Sequence, residues 1–287
     1  MNFRRVVIVD MASLGIGAAR DATKYDSTDA DTLGHLDAQY LLDVPTFQQL
    51  GLGNIQRSRP LLTIPSISQP HGFYGRLKVM SRSNARDASL REMFDFNQPL
   101  RTLSLFNHLA RCRYNTVIIS RFISYLANQD CCTQIQEADD NTAFKTLVAQ
   151  LQQMDTGLLY LQVPELPTAA EQKDVQGYAA RLAIVDKQVE LLMSKLTSTD
   201  LLVLTSSFAN DPTIHRCQIT REYLPLLLYT PGIEVGGSLG THPAGDVAIT
   251  LIDNFGLASS KLSKRHNLLT KLKARFWLRK VNCENLG

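Results

Sequence analysis

With 287 residues and 44% hydrophobic content, the chain can bury a full core as one large or two ordinary domains, and no run approaches the roughly eighteen apolar residues of a membrane span. The N-terminus MNFRRVVIVDM is too short in its apolar part for a secretory peptide and carries no cleavage signal, so a cytoplasmic setting is expected. The formal net charge of +3 hides a split: residues 259–287 hold eight Lys/Arg and one acid, whereas the other 258 residues hold 22 basic and 26 acidic side chains, leaving the body without a nucleic-acid-binding stripe.

The first apolar run, RRVVIVD (4–10), is short, β-branched and bounded by a turn, as a buried parallel strand should be. The pattern recurs in NTVIIS (115–120), GLLYLQV (157–163), DLLVLTS (200–206) and LPLLLYT (224–230). Helix-period segments lie between these runs: TLSLFNHLARC (102–112), NTAFKTLVAQLQQM (141–154) with Asn141 as its candidate cap, DVQGYAARLAIVDKQVELLMSKL (174–196), and GDVAITLIDNFG (245–256) ending at Gly256. This alternation predicts an α/β fold, a mostly parallel sheet with helices on both faces. Ligands in such sheets sit at the carboxyl ends of strands, which directs attention to the loops after residues 10, 120, 163 and 206. Residues 56–100 read as irregular, a functional loop or surface insertion. The five cysteines are odd in number and lack metal-ligand spacing, so they read as free thiols.

LGIGAAR follows the first strand, and Gly15 and Gly17 fit G-x-G. A dinucleotide loop is a poor fit, because Arg20 stands at the third glycine position and ARDATKYDSTDAD is too polar for the helix that should follow.

Six strings, SLGIGAARDA, ADTLGHL, LGLGNI, NDPT, TREYLPLLLY and IDNFGL, run in order from residue 1 to about 257 and together resemble the phosphopentomutase family. These are manganese-dependent, alkaline-phosphatase-like enzymes that interconvert ribose 1-phosphate and ribose 5-phosphate. The resemblance implies a three-layer α/β/α sandwich with an alkaline-phosphatase-type core. It also implies which side chains are missing. Ala12 stands at a metal-binding Asp, and Ala88, with Ser89 beside it, stands at the phosphorylated Thr nucleophile. Leu166 and Glu171 replace an Asp and a His, Ser207 and Phe208 replace an Asp-His pair, and Ile219 replaces a further His. A two-metal phosphoryl-transfer site needs hard carboxylate and imidazole ligands around both ions, and apolar replacements strip a cation of hydration without compensation. No catalytic residue and no cofactor are therefore expected, with manganese returning only if Asp10, Glu171 and His215 have rebuilt a reduced site. Neither Ser89 nor Ser207 stands in a G-x-S-x-G string.

The family's cap, which encloses the sugar phosphate, also has no counterpart, because EMFDFNQPLRTLSLFNHLARCRYNTVIIS runs straight on from the nucleophile loop. Residues 1–258 are therefore read as a cap-less core. Arg86 and Arg121 stand where the family tends to place lysines, and could hold a phosphate through paired donors. Asn210, Asp211, Thr213, Thr220 and Arg221 match family motifs and are candidates either for ligand binding or for turn chemistry.

In the basic tail, Leu262, Leu269, Leu272 and Phe276 recur at helical spacing. This helix either packs on the body or, through residues 259–280, meets a protein partner or an anionic surface. Three functions are thus in play: a non-catalytic homologue that binds a sugar phosphate or regulates pentose phosphate metabolism, a phosphomutase or phosphohydrolase with a reduced metal site, and an adaptor working through its tail.

Overall fold

A computed structural model of the chain describes residues 2–94, 104–121, 123–127, 132–257, 267–270, 272 and 274. Its strands are β1 (Arg5–Asp10), β2 (Phe73–Lys78), β3 (Asn115–Ile119), β4 (Thr133–Ile135), β5 (Gly157–Gln162), β6 (Asp200–Thr205), β7 (Leu224–Tyr229) and β8 (Gly237–Pro243). They form one eight-stranded sheet in the order β4-β3-β5-β1-β6-β7-β2-β8. Every neighbouring pair is parallel except those made by β7, which runs against both β6 and β2. The central β1, β5 and β6 are buried almost end to end, as their uninterrupted apolar runs require of strands covered on both faces.

The helices are α1 (Thr32–Gln39), α2 (Pro45–Gln49), α3 (Arg86–Phe94), α4 (Leu105–Arg111), α5 (Ile123–Leu126), α6 (Asp140–Gln153), α7 (Glu165–Glu171), α8 (Val175–Met193) and α9 (Asp246–Asn254). Strand alternation divides the core in two. Val7 and Val9 of β1 face the cluster filled by α1, α2, α6, α7 and α8, while Val6 and Ile8 face that filled by α3, α4, α5 and α9. The result is a three-layer α/β/α sandwich. Helix α8 anchors the first layer with Tyr178, Leu182, Val185, Val189 and Leu192, each aliphatic side chain contributing roughly 1.5–3 kcal/mol of burial. The cap of α6 is Asp139, which accepts from the Thr142 amide, not Asn141. Gly256 closes α9 at φ +68, where a side chain would be strained.

Residues 56–100 are more ordered than their composition implied, since β2 and α3 lie within them. Strand β2 carries Gly75 and Arg76 among its apolar residues, and its partner β8, GSLGTHP, is a glycine-containing edge strand. Neither has the β-branched run that marks the central strands.

Part of the tail packs on the body. Leu268, Leu269 and Leu272 are buried in the α9 cluster, the Leu268 amide donates to Thr250 Oγ1 at 3.0 Å, and Asn267 Nδ2 donates to Asp253 Oδ2 at 2.5 Å. Leu269 and Leu272 are therefore core residues, in keeping with the alternative in which this stripe packs on the body. Leu262, Phe276 and most of 259–287 lie outside the described residues, as does the 95–103 segment where a cap would begin. Among the described residues no helix is long and apolar enough to cross a membrane.

Candidate functional site

Strand β1 stops at Asp10, and the glycine loop that follows is stitched to the loop after β6. The Ser13 amide donates to the Phe208 carbonyl at 3.0 Å, and the Asn210 amide to the Ser13 carbonyl at 2.9 Å. Ser13 holds φ +83 with its hydroxyl 3.0 Å from Tyr178 Oη. Gly15 is required two residues on, because a Cβ there would lie 2.2 Å from a Glu222 carboxylate oxygen.

Asp10 is the last residue of β1 and is fully buried. Its carboxylate turns under the sheet edge on the α3/α4 side. There Oδ1 accepts from the Ser207 amide at 2.8 Å, and Oδ2 from Tyr160 Oη at 2.5 Å and Gln162 Nε2 at 3.1 Å. Register explains the grouping, since Asp10 pairs directly with Gln162 across β1–β5. Burial pushes the Asp10 carboxyl up, and these hydrogen bonds oppose it.

Four chain segments converge over the strand ends. Arg86, opening α3, reaches across the sheet edge to α7 in the opposite layer, where its Nη2 lies 2.5 Å from Glu171 Oε1. The same guanidinium stacks over the Phe208 ring, 4.8 Å from its centroid. Asn84 Nδ2 donates to the Ile219 carbonyl at 2.6 Å, which brings the segment bearing Ala88 over that position. The structure thus gathers Arg86, Glu171, Phe208 and Ile219 around one cleft. Ala12, Ser207 and Phe208 are buried at its base, Ser89 is buried on α3, and Leu166 turns into the α7/α8 core.

His215 is exposed on its loop. Among the described residues no three His, Cys, Asp or Glu side chains come together, so Asp10, Glu171 and His215 do not form a shared ligand set. Ala12, Leu166, Phe208 and Ile219 offer no side-chain lone pair, and Glu171 is paired with Arg86. This donor set does not fit a pair of manganese ions.

The residues that match family motifs sit mostly inside the fold. Asp211 is completely buried, and its oxygens accept from the Asp31 and Thr213 amides and the Thr213 hydroxyl, with His35 Nδ1 2.7 Å away. The Thr220 hydroxyl accepts from the Asp211 amide and donates to Glu222 at 2.7 Å. Glu222 also accepts from the Thr32 amide and hydroxyl and the Gly17 amide. Burial, reinforced by the charge of Asp211, pushes its carboxyl up to about 7. Arg221 is buried against Asp21, the carbonyls of Val79 and Ser81, and the Tyr25 ring. Arg121 ties its loop to α7 through Thr168 Oγ1 at 2.7 Å and the Pro164 carbonyl at 3.2 Å. Of the ligand candidates, Arg86 keeps partial contact with water, and Asn210 is buried with its Nδ2 unpartnered.

Sequence reasoning missed Lys173, whose ammonium lies 3.3 Å from Asn210 Oδ1 and 3.5 and 3.4 Å from the Asp211 and Cys217 carbonyls. Burial pushes its pKa down. No motif flagged it. Glu222 and His35 did stand inside the strings TREY and ADTLGHL, but without a partner visible in sequence.

The sequence profile described as the Metalloenzyme superfamily matches residues 105–259. Phosphopentomutase of Levilactobacillus brevis is 22% identical across a 398-position alignment that takes in 95% of this chain and all of that protein. Among solved structures, the PH0037 protein from Pyrococcus horikoshii superposes with TM-score 0.60 at 9% identity, covering 91% of this chain and 99% of that one. A protein in the alkaline phosphatase superfamily from Vibrio parahaemolyticus gives 0.55 at 8% identity, covering 90% and 68%. The C-terminal periplasmic domain of EcEptC from Escherichia coli, in complex with Zn, also gives 0.55, at 14% identity over 93% and 86%. These likenesses are to the fold. With the profile spanning α4 through α9, more than half of the sequence, the chain belongs to the Metalloenzyme superfamily.

Proposed function

We propose that this chain is a non-catalytic, metal-free member of its superfamily that binds a phosphate ester, with a sugar phosphate of the pentose type as the ligand class. The observation that carries the reading is the Arg86–Glu171–Phe208 arrangement: where the phosphopentomutase resemblance calls for metal ligands, a protein guanidinium is stacked on an aromatic ring and neutralises the one remaining carboxylate. The likeness to phosphopentomutase supports the ligand class. That alignment is longer than this chain by on the order of a hundred positions, which supports the absence of a cap. A mutase must keep its intermediate from water while it reorients, and a core open at this edge and lacking a nucleophile at Ala88 is suited to holding a ligand, not to turning it over.

Calorimetry on metal-stripped protein tests this, with manganese titrated first and ribose 5-phosphate second. The expected result is no heat from manganese, heat from the sugar phosphate alone, and no formation of ribose 1-phosphate. Tight manganese binding together with turnover that is lost in Asp10→Ala or Glu171→Ala would overturn the reading in favour of a metal-dependent phosphomutase or phosphohydrolase with a rebuilt site.

A further inference from the structure

The Arg86–Glu171 contact has the character of an exchangeable pair. Both side chains remain in touch with water, at 25% and 35% exposure, so their attraction is screened and weak. The guanidinium plane is nevertheless fixed by the Phe208 ring beneath it. Two residues along the same loop, Asn210 is fully buried, and its Nδ2 has no hydrogen-bond partner. A buried donor left unmatched costs about 1–3 kcal/mol, and asks for an acceptor that the resting protein does not supply. The orientation of this amide is set by Lys173, whose ammonium contacts Asn210 Oδ1 only loosely at 3.3 Å. One loop therefore presents a guanidinium at Phe208, and an ammonium and an unmatched amide donor at Asn210.

We infer that Arg86, Lys173 and the Asn210 amide form an oxyanion site that takes a phosphate dianion without metal, and that Glu171 is its built-in competitor. This rests on the reading that the cleft binds a phosphate ester, and specifies how. A phosphate dianion offers three acceptor oxygens and twice the charge of a carboxylate, so it outcompetes Glu171 for the planar guanidinium fork. Lys173 supplies a second positive charge, and Asn210 Nδ2 gains its missing acceptor. Glu171, once released, swings into the solvent that it already contacts.

The test is titration of the full chain, in chelator, with inorganic phosphate and separately with ribose 5-phosphate. Wild type is compared with Glu171→Gln, Lys173→Met and Arg86→Met, with thermal melts confirming that each variant is folded. Glu171→Gln is expected to bind both probes about fivefold tighter, because it removes the competitor and spares the cations. Lys173→Met and Arg86→Met are each expected to weaken binding more than about tenfold. The inversion for Glu171 is the diagnostic result, since a metal site would lose affinity when Glu171 is removed. Binding by wild type that is unmoved by the three variants, or weakened in Glu171→Gln, overturns this site and leaves the metal-free ligand reading standing. Silence from both probes in wild type and Glu171→Gln overturns both. Affinity for ribose 5-phosphate without affinity for inorganic phosphate assigns recognition to the sugar and also overturns the site.

Discussion

The loop from Ser206 to Thr213 has two sides, and they are built differently. On the inner side Asp211, with its neighbours Thr220 and Glu222, is buried and surrounded by fixed donors from the 17–35 segment. On the outer side Phe208 meets Arg86 and Glu171, a pair that water reaches. The residues that match family motifs are concentrated on the inner side, where they close the fold. Of the residues that depart from those motifs, Phe208 and Glu171 meet Arg86 on the outer side, while Leu166 turns into the α7/α8 core. A family string can therefore match for structural reasons, independently of the chemistry beside it.

The sharpest way to break this comparison is Asp211→Ala. It removes the acceptor for two amides and a hydroxyl and leaves His35 without its carboxylate, at a position where Asp211 itself is fully buried. The expected loss is about 4 kcal/mol in urea unfolding. Glu171→Gln, on the other side of the loop, should cost less than about 1 kcal/mol. Equal losses would mean that the two sides are mechanically one.

This division also explains what the sequence could and could not convey. The five apolar runs read as strands all became β1, β3, β5, β6 and β7, because central strands buried on both faces need uninterrupted β-branched and aliphatic side chains. Strands β4 and β8 escaped notice because edge positions tolerate glycine, proline and polar residues and β4 has only three residues, and β2 because Gly75 and Arg76 interrupt its apolar run. At the site, the positions of Ala12, Ser207 and Phe208 followed from the strand ends. The partners of Asp10, namely Tyr160, Gln162 and the Ser207 amide, lie 150 or more residues along the chain and leave no local pattern. The Arg86–Glu171 contact spans 85 residues and two layers, and Lys173 meets Asn210 across 37, so neither pairing leaves a local pattern.

A smaller effect separates the inner side from ordinary surface carboxylates through pH. Glu222 is pushed up to about 7 by burial and the neighbouring Asp211, and Asp140 to about 7 by burial with the charge of Glu165 adding to it. A carboxyl whose folded pKa lies above its unfolded value of about 4 binds more protons folded than unfolded between those limits. Stability from these two groups is therefore fully present below pH 4 and is lost as pH rises toward 7, at up to about 1.4 kcal/mol per pH unit for each group. Denaturation midpoints at pH 5 and pH 8 check the sign. Asp140→Asn keeps the acceptor for the Glu165 amide, supplied at 3.0 Å by Oδ1, while removing the titration. It should flatten part of the slope, and an unchanged slope would place the titration elsewhere.

The smallest effect is also the most specific to the outer side. A double-mutant cycle between Arg86→Ala and Glu171→Ala should give a coupling under about 1 kcal/mol, because the pair is partly exposed and screened. Raising the salt to about 1 M, where the Debye length falls to about 3 Å, should reduce that coupling toward zero. The inner contacts, shielded from ions by burial, should keep theirs under the same conditions. A cycle between Thr32→Val and Glu222→Gln, whose buried side chains meet 2.7 Å apart, supplies the reference. If the Arg86–Glu171 coupling survives high salt as well as this reference does, the pair is a fixed strut between α3 and α7. An anion could then not displace Glu171 at the modest cost the exchange requires. If the coupling vanishes, the cation at the mouth of the cleft is held loosely enough to change partners, as a site that must bind and release an anion demands.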